Sequence, residues 1–299
     1  MTAAPSSSHS NARTGSEADP AFAFVQDLAA ELNRGRVDLP SFPAIALRVR
    51  EVLADDLVPT EQVVRVINSE PALAAQLLRI SNSRALNASG HLHSDLRTAV
   101  ARMGFNLVRS AAISFAMSQL KKVESLKGLE QPLDQLWQRS AAVAAMCHAV
   151  ARRHSKINPD KALLAGMLHG FGRLYILTRS ARHPQLFADA SALNAIIRDW
   201  SAPIAKALLE NWAMPAEIVT AVSEYEDHDR AHEGGPDLTD VLQVSWMLTV
   251  FGQWPESLEL NLQSVSAACV RLRMDLAAYQ QLMSECESEV EALRQALGM

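Results

Sequence analysis

The sequence has few cysteines and few glycines, and each shortage excludes a kind of protein. Its three cysteines, Cys147, Cys269 and Cys286, are odd in number and far apart, so they suggest neither a disulfide framework nor a CxxC zinc site. The 12 glycines among 299 residues include no glycine-rich phosphate loop. This use of cysteine fits a reducing cytoplasm.

Long apolar runs and an excess of one charge are also missing. No run approaches the roughly 18 apolar residues that a membrane-spanning helix needs. The formal net charge of −5 gives no general attraction to nucleic acid or anionic lipid. Residues 1–20 are rich in Ser and Ala and lack a secretory signal, which predicts a disordered tail. We therefore expect a cytoplasmic protein that binds neither nucleic acid nor membrane.

Helix-forming residues are abundant. Ala and Leu dominate between the Gly and Pro breakers, and β-branched alternation is scarce, so the pattern predicts an all-α fold. One short helix is expected to end at Gly104, and Asn158-Pro159 is expected to open another. Later helices are predicted over roughly 184–199, 202–211, 215–226, 237–252 and 264–297.

The helical pattern divides the chain into three regions. The tail of residues 1–20 precedes a main domain over 21–252, with one lobe to about residue 120 and a second from about 130. A helical extension follows over 253–299. Its apolar stripe docks either on the body of the chain or on a second subunit, so a homodimer is an open alternative. The stripe consists of Met283, Val290, Leu293 and Leu297.

Four stretches carry a family pattern in a fixed order. They are "LPSFPAIALRVREVL" with "INSEPALAAQLLRISNS", then "RTAVARMGFNLVRSAAI", "KALLAGMLHGFGRL" and "ALLENWAMPAEIVTAV". Together they resemble the HDOD domain, the HD-related output domain of bacterial signalling proteins, over about residues 38–250. The resemblance implies an HD-like bundle of two packed helical lobes and a role in signal transduction, usually without demonstrated catalysis.

The HD phosphohydrolases to which this family is related hold a divalent metal with a His on an early helix, a His-Asp pair and an Asp on a late helix. Aligned by the surrounding pattern, the early His falls on Arg139, and the pair falls on His169 and Gly170. The late Asp falls on Trp246. Auxiliary positions of some subgroups fall on Ser201, Tyr225 and Glu226.

This set of residues is a poor metal site. His169 is its one strong ligand, and Arg139 would place a fixed positive charge beside the ion. At about 4 Å and an effective dielectric near 20, that repulsion is roughly 8 kcal/mol, and arginine does not deprotonate to escape it. We therefore expect no metal, no cofactor, no catalytic residues and no enzyme. Trp246 is expected to fill the former cavity with apolar bulk.

Two interpretations of His169 stay open. It is either a buried helix histidine retained for packing, or part of a vestigial pocket that binds an anion such as a phosphate or nucleotide. That pocket would consist of Arg139, His169, Gly170 and Trp246, in which arginine is well suited to phosphate. Gly172, two residues beyond the pair, is expected to permit close helix packing or to end a helix.

A second candidate site is the pair His228 and His232, whose i, i+4 spacing can bind zinc on a helix. The central Glu of an HExxH site is absent, and Gly234 and Gly235 follow at once, which favours a solvated helix end or loop instead.

These observations lead to three functional hypotheses. The first is a non-catalytic regulator of bacterial signal transduction that acts through protein–protein interaction with signalling proteins of unknown identity. The second is a sensor that binds a nucleotide or another anionic small ligand with the help of Arg139 and His169. The third is a divergent metal-dependent phosphodiesterase.

Overall fold

The structure is a computed structural model that describes residues 20–34, 43–55, 57–84, 86–87, 90–120, 122–123, 126–180 and 190–297. Within these ranges every regular element is a helix and no strand occurs, as the sequence predicts. None of the helices in the described ranges is long and apolar enough to cross a membrane. The predicted disordered tail lies outside the described residues, apart from Pro20.

The first lobe is formed around one long helix. Helix α5 (Leu96–Leu120) packs against α2 (Ala44–Val52), α3 (Thr60–Asn68) and α4 (Pro71–Ser81) of this lobe and also against the second lobe. At Gly104 the backbone leaves helical geometry, with φ of 71° and ψ of 166°, so the predicted helix end is confirmed there and a kink follows. The helices are α1 (Pro20–Asn33), α2 (Ala44–Val52), α3 (Thr60–Asn68), α4 (Pro71–Ser81) and α5 (Leu96–Leu120).

The second lobe surrounds a central alanine-rich helix. Its buried face consists largely of small side chains, which lets α7 approach so closely that a Cβ at Gly166 would lie 2.5 Å from Ala144 Cα. Asn158 caps α7 as predicted, because its Oδ1 accepts from the backbone N–H groups of Asp160 and Lys161. The helices are α6 (Glu130–His154), α7 (Pro159–Leu168), α8 (Phe171–Ser180), α9 (Ala190–Asn211), α10 (Ala216–Glu224) and α11 (Leu238–Phe251).

Helices α8 and α9 cross at a glycine. A Cβ at Gly172 would lie 2.6 Å from the carbonyl carbon of Ser201 and 2.8 Å from its Cα, so the expected close helix packing is confirmed at this position. The predicted break between residues 199 and 202 is wrong, since α9 continues through Pro203. Beyond Pro203, buried Ile204 and Leu208 continue the apolar face, and this packing outweighs the loss of one N–H donor.

The C-terminal extension contains three helices where the sequence predicted a single one over 264–297. They are α12 (Pro255–Ser264), α13 (Ser266–Leu272) and α14 (Leu276–Leu297). The break before α14 lies at Arg273, whose φ is 52°. Asp275 Oδ1 then accepts from Ala278 N at 2.7 Å and so satisfies a donor of the new first turn.

Helix α14 docks on its own chain. It packs against α6 and also against α4 of the first lobe. Arg152 pairs with Glu289, and Arg153 Nη1 lies 3.2 Å from Glu285 Oε2. The apolar stripe therefore has a covered face on the body of the chain, the first of the two arrangements that the sequence leaves open.

Candidate functional site

A cavity of about 680 Å³ lies in the second lobe between α6, α8, α9 and α11. The four residues of the predicted vestigial pocket, Arg139, His169, Gly170 and Trp246, all line it. The auxiliary positions line it too, and these are Ser201, Tyr225 and Glu226. The positions that were aligned with HD metal ligands, although far apart in the sequence, therefore all line the same cavity.

His169 is a neutral, buried side chain at the C-terminal end of α7. Its Nδ1 lies 2.7 Å from the Gly166 carbonyl oxygen, which can only accept, so Nδ1 carries the proton and donates. Burial lowers the pKa of His169 to about 4, with the charges of Arg139 and Arg173 acting in the same direction and the Gly166 hydrogen bond opposing them. Nε2 is therefore left as an unprotonated acceptor.

Three arginines line the cavity, and one of them, Arg198, forms an ion pair with Asp199. Arg139 on α6 is exposed, whereas Arg173 on α8 is half-buried. Burial and the charge of Arg139 lower the pKa of Arg173, while Tyr225 and Glu226 raise it. Among the described residues, neither Arg139 nor Arg173 has a carboxylate oxygen within 4.0 Å. Sequence reasoning missed Arg173, although it is the one charged residue in the apolar run "FGRLYIL".

Gly170 gives the cavity a wall of bare backbone. A Cβ at this position would lie 2.8 Å from Leu136 Cδ1 and 3.2 Å from Ser140 Oγ. A carboxylate here, as in an HD pair, would therefore require Leu136 to move. Leu136 thus occupies space that a side chain at position 170 would need, and glycine leaves that space free.

Aromatic side chains form the opposite wall. The rings of His169 and Tyr225 meet edge to face at 5.7 Å, Tyr225 and Trp246 lie 6.3 Å apart, and Trp246 and Phe251 lie 6.2 Å apart. Burial and Glu226 raise the pKa of Tyr225 well above its ordinary value, so its hydroxyl stays protonated and donates to Glu226 Oε1 at 2.9 Å. Trp246 borders an open cavity and does not fill it, so that expectation was wrong.

The residues of the cavity do not fit a divalent metal. Among its described lining residues, the side chains that ligate metals most strongly are His169, Glu226 and His228, and the last two are exposed. They do not converge into a group of three. Gly170 and Trp246 occupy the carboxylate positions, so the countercharge that a +2 ion needs is missing, and Arg139 and Arg173 add positive charge instead.

The second histidine candidate lies in a loop, as the glycines suggested. Residues 226–237 are not helical, so His228 and His232 do not form a helical zinc pair. His232 instead lies with Asp237 and Asp240, the three forming a potential metal-binding group in the part of the chain that the structure describes. Arginine already binds these carboxylates, since Arg271 Nε and Nη2 donate to Asp240 at 2.8 and 2.6 Å.

Asp240 is the centre of this ion-pair network. It is 1% exposed, and burial alone would raise its pKa. The hydrogen bonds from Arg271, from the Asp237 backbone and from His232 outweigh burial and hold that pKa below its ordinary value. The network therefore links the loop to α13 through charge pairs that need no metal.

An all-helical domain with HD ligand positions around a cavity, but with the carboxylates replaced, is a degenerate member of the HD-like class. The sequence profile of the HDOD domain matches residues 39–228. This chain belongs to the HDOD domain family. The match is narrower than the predicted domain of residues 21–252.

Known relatives share the fold at low identity. A crystal structure of a "Putative metal-dependent phosphohydrolase" from Shewanella amazonensis SB2B has a TM-score of 0.74 at 23% identity, covering 93% of this chain and 99% of that one. An HDOD domain protein of unknown function from Geobacter sulfurreducens has a TM-score of 0.62 at 20% identity, covering 91% and 96%. A "Putative signal transduction protein" from Marinobacter aquaeolei VT8 has a TM-score of 0.57 at 21% identity, covering 95% and 67%.

A curated relative shows similarity over only part of its length. It is an uncharacterized protein of Treponema pallidum (strain Nichols), 22% identical over 223 residues. The match covers 69% of this chain and 41% of that protein.

Proposed function

We propose that this chain is a non-catalytic regulator of signal transduction that acts by binding other proteins and hydrolyses no phosphoester. One observation carries the proposal: the HD ligand positions around the cavity hold Arg139, Gly170 and Trp246, and Arg173 adds a second guanidinium facing His169. Membership of the HDOD family and the similar fold of the protein named "Putative signal transduction protein" support the signalling role.

The charges around the cavity oppose metal-dependent hydrolysis. Water is activated for phosphoester hydrolysis by a divalent ion held between neutral imidazoles and carboxylates. His169 can supply one neutral nitrogen, because its pKa of about 4 keeps it unprotonated at neutral pH. One nitrogen facing two fixed positive charges gives too little binding energy for a +2 ion.

The first experiment measures metal content and hydrolysis together. Purified protein incubated with Mn²⁺, Fe²⁺ or Zn²⁺ and desalted should hold no stoichiometric metal at the cavity and should not hydrolyse a cyclic dinucleotide. Two variants locate any metal that is found, His169→Ala in the cavity and His232→Ala in the Asp240 network.

The two variants distinguish metal in the cavity from metal in the Asp240 network. Metal or hydrolysis that disappears with chelator and with His169→Ala contradicts the proposal. Metal that disappears only with His232→Ala lies in the Asp240 network and leaves the proposal standing.

The second experiment concerns the partner. The described surface exposes large apolar side chains on the C-terminal extension: Trp254 at 58%, Leu260 at 68% and Val270 at 75% exposed. Such side chains are the kind that a protein interface buries. Tagged protein from native cells should retain a signalling protein, and Leu260→Lys should release it. Leu57→Lys, at another exposed leucine, is the matched control. Loss of the partner in both variants, or in neither, contradicts this role of the extension.

A further inference from the structure

The cavity carries more positive charge than its own carboxylates balance. Arg139 and Arg173 both act on the His169 imidazole, and neither has a carboxylate partner among the described residues. Glu226 is exposed, and it accepts the hydroxyl of Tyr225. Two guanidinium groups repel each other and favour an anion between them.

Polar atoms beside the arginines have unused hydrogen-bonding capacity. Ser201 Oγ is buried on the cavity wall and makes no hydrogen bond within the described structure. A buried hydroxyl without a partner costs free energy that a ligand oxygen can recover. His169 adds an acceptor, because its Nδ1 is committed to the Gly166 carbonyl and its Nε2 has no partner among the described residues.

The size and walls of the cavity indicate more than a bare inorganic anion. Its volume of about 680 Å³ lies within the range of pockets that hold small organic molecules. A phosphate ion alone would leave most of it empty. Further polar residues of the wall include Gln135, Asn194 and Asn261. Its apolar and aromatic part includes Leu136, Leu177, Leu193, Ile197, Trp246 and Phe251.

We propose that this cavity binds a small phosphorylated molecule with a planar or apolar body. The phosphate lies between the guanidinium groups of Arg139 and Arg173 and accepts from Ser201 Oγ, and the body packs along Trp246 and Phe251. The planar guanidinium fork matches two phosphate oxygens at once. This inference rests on the proposed function, since a cavity that held a metal ion on its histidine would bind phosphate through that ion.

The test is calorimetric titration of chelator-treated protein with inorganic phosphate, AMP and adenosine. Inorganic phosphate probes the head group alone and should bind saturably with a Kd of about 1 mM. AMP should bind about tenfold more tightly, because its planar body adds contacts with the aromatic wall. Adenosine, which has the body without the charge, should bind far more weakly than AMP.

Matched variants test whether the charge of Arg173 contributes to AMP binding. Arg173→Gln should weaken AMP binding about tenfold or more, and Arg173→Lys should give an intermediate Kd because it keeps the charge without the fork. Arg48→Gln removes the same charge from an exposed position on α2 and should leave the Kd unchanged. Far-ultraviolet circular dichroism checks that each variant is folded.

Every result decides something. Phosphate that fails to saturate at tens of millimolar overturns the inference, as does equal weakening by Arg48→Gln. AMP that binds no more tightly than phosphate overturns the part played by the aromatic wall. Phosphate binding that appears only with added Mn²⁺ contradicts the proposed function itself, whereas a cavity that binds neither phosphate nor metal overturns this inference alone.

Discussion

Replacement of Gly172 by alanine should destabilise the protein and distort the cavity at the same time. The added methyl group would lie 2.6 Å from the Ser201 carbonyl carbon, whereas non-bonded carbons pack at about 3.5–4.0 Å. Helices α8 and α9 would therefore have to separate by roughly 1 Å at their crossing. The obstruction is backbone, so no side-chain rotation can relieve it.

The expected cost follows from overpacking. Forcing extra carbon into a packed core typically costs about 1–3 kcal/mol, and an immovable backbone neighbour favours the upper end. The better helix propensity of alanine returns about 0.5–1 kcal/mol. We expect the free energy of unfolding to fall by about 2 kcal/mol, and Tm to fall by about 4 °C or more.

Urea denaturation followed by circular dichroism measures the change, and Gly235→Ala is the matched control. A Cβ at Gly235 would meet nothing within 4 Å, so that variant should stay within about 0.5 kcal/mol of the parent. Because Ser201 lines the cavity, Gly172→Ala should also weaken AMP binding. If Gly172→Ala is as stable as Gly235→Ala, the helix crossing is not as close as described and the reasoning is wrong.

Three further predictions concern stability. His169 takes up a proton near pH 6.5 when unfolded but only near pH 4 when folded, so its contribution to stability is present above pH 6.5 and is lost as pH falls towards 4. The loss from pH 8 to pH 5 is about 2 kcal/mol. It should be absent from the His169→Gln variant and should therefore appear in the difference between the denaturation curves of parent and variant. Arg271→Met should cost about 3 kcal/mol in urea unfolding because it leaves the Asp240 carboxylate buried without its main partner, while Arg97→Met, at an exposed ion pair, should change little. Leu293→Ala should lower the free energy of unfolding by about 2–5 kcal/mol, since this side chain of α14 is 1% exposed; a loss below 1 kcal/mol would contradict docking of α14 on the body.

Sequence reasoning located the cavity because its wall consists of positions embedded in strong local patterns. Arg139, Gly170 and Trp246 could be aligned by the apolar residues around them, and burial fixes those residues on each helix. Arg173 was missed because it has no counterpart in the HD ligand set that guided the search. A charged residue within an otherwise buried helix was the available signal.

The helix boundaries that failed depend on tertiary packing. Pro203 reads locally as a helix start, yet α9 passes through it because apolar contacts continue on both sides. At Arg273 the reverse occurs. Local propensity favours a continuous helix, but the backbone of Arg273 adopts the left-handed conformation and the helix ends. Asp275, three residues before the donor it caps, was a local signal for the start of α14 that could have been read.

The side chain of Asp240 has a mechanical consequence for the rim of the cavity. It holds His232 and Arg271, while Gln243, one turn further along α11, donates to the backbone carbonyls of Tyr225 and Asp227. Two side chains of α11, Asp240 and Gln243, therefore hold the segment that carries Tyr225, and Asp240 also connects that segment to α13. Because Asp240 bonds both the loop and α13, a displacement of α13 would be transmitted through this carboxylate to the segment that carries Tyr225.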